Sequence, residues 1–88
     1  MKLKPIFQSE KYYSICECDR VTGLVIDVTR GGIAAYSRIV ELTDDEMVEF
    51  RAKGHLDDLA YRITRGDEEA LQRELLPEAG ERLEYEAT

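Results

Sequence analysis

The chain has 88 residues, with 12 Lys and Arg against 19 Asp and Glu, a formal net charge of −7. This length allows one domain with one core, which buries about 60 to 65% of its unfolded surface and sits at the low end of roughly 5 to 15 kcal/mol of stability. The charge argues against nucleic acid and anionic membranes, whose phosphates need a basic face, and no stretch approaches the roughly 18 apolar residues of a membrane span.

Residues 1–10 carry no clear period, although Ile6 and Phe7 are expected over a core edge. Met1 to Phe7 has the positive charge of a signal peptide without its apolar run of about 7 to 15 residues, so a soluble, cytosolic protein is expected. From Lys11 the residues become β-prone through Tyr12, Tyr13, Ile15, Cys16 and Cys18. Asp19 to Gly23 reads as a loop, Leu24 to Arg30 alternates as a strand, and Gly31 Gly32 reads as a two-residue hairpin turn before Ile33 to Leu42. These segments predict a three-stranded antiparallel meander.

Turn length sets register. A Gly31 Gly32 turn pairs Val28 with Ala35, Ile26 with Ser37 and Leu24 with Ile39, and the Asp19–Gly23 loop pairs Cys18 with Leu24 and Cys16 with Ile26. One face then collects Cys16, Cys18, Leu24, Ile26, Val28, Ile33, Ala35 and Ile39 for helices to cover. The other exposes Tyr13, Ile15, Glu17, Val25, Asp27, Thr29, Tyr36 and Arg38.

The strand-to-helix switch is marked by Leu42 Thr43 Asp44 Asp45 Glu46 Met47, where Thr43 and Glu46 form a capping box and Leu42 and Met47 a hydrophobic staple. Met47 and Phe50 share a first helix ended by Gly54, with Glu49 and Lys53 as an i, i+4 pair. Leu56, Leu59, Ala60 and Ile63 give the stripe of a second, ended at Gly66, with Asp58 and Arg62 paired on its polar face. Asp67 caps a short third helix containing Leu71, Leu75 and Leu76, stopped by Pro77. The acidic tail 78–88 is expected to fray. The predicted class is therefore α+β, a three-stranded meander followed by two or three short helices on one sheet face, with the domain spanning 1–77.

Charge is unequally divided. Residues 1–42 hold six Lys and Arg against five Asp and Glu, whereas residues 43–88 hold six against fourteen. An acidic helical half leaves room for a basic protein partner, but solvated helix faces kept soluble by charge account for it better.

Catalytic groups are few. Cys16 and Cys18 share a strand face with α-carbons about 6.5 to 7 Å apart, at the limit for a disulfide, which fits reduced thiols in the cytosol. With His55 they supply three metal ligands, and Asp57 is the candidate fourth; free cysteine nevertheless packs most often as a small hydrophobe. This set carries the alternative reading, a small enzyme or ligand- or metal-binding domain. The pairs Asp44 Asp45, Asp57 Asp58 and Glu68 Glu69 fall in predicted first helical turns, where the helix dipole accounts for them. Arg30 Gly31 Gly32 could cradle an anion but reads as a turn, and Arg65 Gly66 Asp67 reads as a helix end followed by the next cap.

The outer sheet face carries the main functional expectation. Tyr13, Ile15, Val25 and Tyr36 beside Asp27 and Arg38 form an apolar patch with charges suited to a symmetric homodimer, in which Asp27 of one copy meets Arg38 of the other. In size and charge balance the chain resembles bacterial immunity and other toxin-neutralising proteins, a resemblance that covers no motif and implies a protein partner. The reading is a non-enzymatic protein-binding module with no cofactor.

Overall fold

In the computed structural model, residues 1–10, 12–30, 36–76 and 84–86 are described, with Arg30 and Tyr36 by backbone alone. Chain order is β1 (Lys2–Gln8), β2 (Tyr13–Cys18), β3 (Leu24–Arg30), β4 (Tyr36–Glu41), α1 (Asp44–Lys53), α2 (Asp57–Thr64), α3 (Glu68–Leu71) and β5 (Glu84–Tyr85). The class is α+β. The sheet, however, has five strands in the order β4-β3-β2-β1-β5, antiparallel through β1 to β4 and parallel between β1 and β5. The Gly31 Gly32 turn, Ile33, Ala35, Pro77 and most of the tail lie outside the described residues.

β1 is the strand that periodicity misses, and a bulge explains why. Pro5 pairs with Cys16 but Phe7 pairs with Ile15, so an extra residue enters between them. Leu3 consequently packs in one core and Phe7 in the other, which erases any simple alternation from the sequence. Pro5, having no N–H, suits a strand near the sheet edge.

The observed registers differ from those expected. Cys16 pairs with Val25 and Glu17 with Leu24, a slip of one residue, while Ile26 pairs with Val40 and Val28 with Arg38, a slip of three. Both shifts are odd, and an odd shift turns a strand's side chains to the opposite face. β3 presents Ile26 and Val28 to the helices as expected. Tyr13 and Ile15 join them, and Cys16, Cys18 and Ile39 move to the other side.

Two cores result. The first lies between sheet and helices and contains Tyr13, Ile15, Ile26, Val28, Val40 and Leu42 with Leu56, Leu59, Ala60, Ile63 and Ala70. The second contains Met1, Leu3, Cys16, Cys18, Val25 and Ile39, with Val21 and Leu75 against it. Both edges of the meander are met by later chain. Glu41 N–H donates to Arg73 C=O (3.1 Å) and Leu75 N–H to Ile39 C=O (2.7 Å) beside β4, while β5 lies along β1. Tyr85 reaches Asp27 of β3. In a flat sheet those strands stand three steps of about 4.8 Å apart, so the sheet curls around the second core.

The end signals of α1 and α2 and the cap of α3 are realised closely, but α3 stops at Leu71; Leu75 and Leu76, expected within it, lie beyond it, because the chain leaves the helix to run beside β4, where Leu75 N–H donates to Ile39 C=O. Glu46 N–H donates to Thr43 Oγ1 (3.1 Å) and Thr43 N–H to Glu46 Oε1 (2.9 Å), completing the capping box. Gly54 ends α1 at φ 80°, donating to Phe50 C=O, and Gly66 follows α2 at φ 81°. Asp67 Oδ1 accepts from Glu69 N–H at the start of α3. Glu49 and Lys53 pair at 3.5 Å, but Arg62 turns from Asp58 to Asp67 (2.5 Å), whose carboxylate it holds below the usual range.

Candidate functional site

Of the six residues expected to form one exposed patch, the five whose side chains are described fall on opposite faces of the sheet. Tyr13 is 4% exposed and Ile15 fully buried beneath the helices, whereas Val25 and Asp27 (3% exposed) point into the second core. Arg38 lies on the helix side, half-buried, with its guanidinium 3.2 Å from Glu74 Oε1. Tyr36 is placed by its backbone, opposite Arg30, and its side chain lies outside the description. The predicted Asp27–Arg38 pairing across a dimer therefore has no common surface.

Tyr13 is instead a structural tie. Its hydroxyl donates to Asp57 Oδ1 (2.6 Å) and accepts from Leu56 N–H (2.9 Å), fastening the start of α2 to β2. Burial, reinforced by the Asp57 bond, pushes its phenol up to about 12. His55 is nearby but exposed, with Nδ1 accepting from Asp57 N–H at 3.3 Å. Cys16 and Cys18 lie on the opposite side of the sheet as buried free thiols, so the cysteines and His55 are not brought together. Among the described residues, no three His, Cys, Asp or Glu side chains are grouped to hold a metal. The acidic pairs sit in the first turns of α1, α2 and α3.

The accessible feature is an open cleft of about 690 Å³ between α1 and the nearby ends of β1 to β3. Ile6, Leu24, Met47 and Phe50 supply its apolar surface, and Glu17 and Arg51 its charges. The cause lies in α1, which buries none of its residues and meets the sheet mainly through half-buried Met47 and Phe50. Phe50 packs edge-on against Phe7 at 5.4 Å between ring centroids. Gly23 leaves space for Met47, whose thioether would stand 3.2 Å from a Cβ there. Ile6 is 48% exposed at the rim and Val48 62% exposed on the outer side of α1. Val48, out of step with Met47 and Phe50, is the one sequence signal that marks this side.

A second polar constellation lies inside the second core. Ser14 Oγ stands 3.5 Å from Cys16 Sγ, Asp27 is the cross-strand neighbour of Ser14, and the Tyr85 hydroxyl donates to Asp27 Oδ2 at 2.8 Å. Burial pushes the Cys16 thiol up, opposed by the Ser14 hydrogen bond.

The geometry defines a small two-core α+β domain with an open cleft of mixed polar and apolar lining. No protein-family profile matches the chain, and no curated protein or solved structure matches it either. No described helix is long and apolar enough to cross a membrane.

Proposed function

We propose that the chain is a non-enzymatic protein-binding module that self-associates through the α1 side of the fold. The observation supporting this is a helix with no buried residue whose outer face leaves Val48 62% exposed. Asp44 precedes Val48 by four residues and Arg51 follows it by three, so all three share one face of α1. Two copies related by a two-fold axis through Val48 would bring Asp44 and Asp45 of each helix to Arg51 of the other, with antiparallel helix dipoles. A contact built on a ten-residue helix stays below about 1,200 Å² of total buried area, so the dimer is weak and concentration-dependent. The buried free thiols support a reducing compartment, the cytosol.

Light scattering over a concentration series tests this reading. The wild type is expected to gain mass towards a dimer as concentration rises, Val48→Glu and Arg51→Glu to stay monomeric and folded, and Asp44→Lys/Asp45→Lys combined with Arg51→Glu to recover association. A wild type monomeric throughout, or an Arg51→Glu variant that associates unchanged, overturns self-association. The acidic helical half then favours a basic protein as partner.

A further inference from the structure

The second core encloses a group that an apolar layer ordinarily excludes. Asp27 is 3% exposed, and its Oδ1 has no hydrogen-bond partner among the described residues. Oδ2 accepts from the Tyr85 hydroxyl at 2.8 Å, and that hydroxyl lies 3.4 Å from Ser37 Oγ. Ser14 and Cys16 face the carboxyl from β2, Ser37 from β4 and Tyr85 from β5. None of these is a cation, so the neutral acid is tolerated in this setting far better than the carboxylate.

The partner of Asp27 belongs to the least anchored strand. β5 has two residues, both exposed, and its main-chain bonds to β1 include Glu84 N–H to Met1 C=O (2.9 Å) and Glu86 N–H to Leu3 C=O (2.8 Å). A short edge strand thus adds to these bonds a side-chain bond to a titratable group.

We propose that β5 is a latch over the Met1–Leu3 edge of β1, which lays Tyr85 on the Asp27 carboxyl, stays shut while that carboxyl is neutral and loosens when it ionises, because the cost of a charge buried without a cation exceeds what the stronger Tyr85 bond to the carboxylate returns. Ionisation sets an uncompensated charge beside Cys16, Val25 and Ile39. Tyr85 is the β5 side chain that lies on this carboxyl, and lifting it to admit water undoes the parallel pairing. The opened edge presents the β1 backbone and the buried side chains of Met1 and Leu3, a template for an added strand. Burial pushes the Asp27 carboxyl upward, with Tyr85 and Ser37 drawing it partly back. The sign follows. With the closed-state value raised, closure is fully favoured below the open-state value of about 3.9 and weakens as pH climbs through the closed-state value.

Amide hydrogen exchange of Glu84 and Glu86, corrected for intrinsic base catalysis and compared with β3 amides, tests the latch. In the wild type, the opening constant at Glu84 and Glu86 is expected to rise about tenfold per pH unit within that window and then level off, while β3 protection holds. Asp27→Asn should flatten the dependence, and Tyr85→Phe should lower protection at every pH. A flat wild-type profile, an Asp27→Asn profile that still rises, or β5 and β3 opening together overturns the proposal. Should Asp27→Asn fail to fold, the carboxyl carbon shift of Asp27 in the wild type serves instead. A midpoint coincident with the plateau supports the latch, and one elsewhere overturns it.

Discussion

Tyr13 shows how much one residue's meaning depends on where its hydroxyl ends. On the sheet exterior it would be an interface anchor, but as found it satisfies Leu56 N–H and donates to Asp57 at the start of α2. Tyr13→Phe keeps the ring and removes both bonds, leaving a buried N–H without a partner. A loss of about 1 to 3 kcal/mol is expected by denaturant unfolding, and a change near zero would mean that water replaces the hydroxyl. Glu46 has a comparable double role. Burial pushes its carboxyl up, but bonds from Arg73 (2.6 and 3.1 Å) and Thr43 N–H outweigh that and hold it below the usual carboxylate range. Its stabilising contribution is therefore present above about 4.3, the unfolded value, and lost as pH falls through the lower native value.

The helices separate by how they pack. α2 presents Leu59, Ala60 and Ile63, at 4, 0 and 1% exposure, following Leu56 at 1%. Leu59→Ala should cost roughly 2 to 5 kcal/mol in equilibrium unfolding; tolerance like that of a surface change would mean the site collapses around the smaller side chain. α1 has equally clear end signals yet no comparable stripe, so its caps define where it starts and stops while little defines how tightly it seats. That difference leaves the cleft open on one side of the helix layer and closed on the other.

Across the whole molecule, two cores share one curled sheet, and the cysteines lie in the second, away from the helices. Cys16 is fully buried and Cys18 is 7% exposed. Both thiols should react slowly with an aromatic disulfide reagent in the native protein and rapidly in denaturant, because both are buried from the reagent and burial also disfavours the Cys16 thiolate. Rapid native labelling would show that the second core opens readily under the assay conditions.

The α+β class, the capping box at Thr43 and Glu46, the left-handed glycines at 54 and 66 and the α2 stripe were legible in the sequence because each depends on residues within a few positions of one another. Strand pairing is different. β3 meets β4 through a connection running from 31 to 35, and β1 carries a bulge, so neither register could be derived from a two-residue turn and strict alternation. Since side chains alternate with period two, a slip of one residue moved Tyr13 and Ile15 inward and Cys16 and Cys18 to the far face, dissolving the expected patch. The pairing of Glu84–Tyr85 with β1, from which Tyr85 reaches Asp27 in β3, depends on contacts more than fifty residues apart in the chain, which local pattern does not encode and only the folded sheet decides.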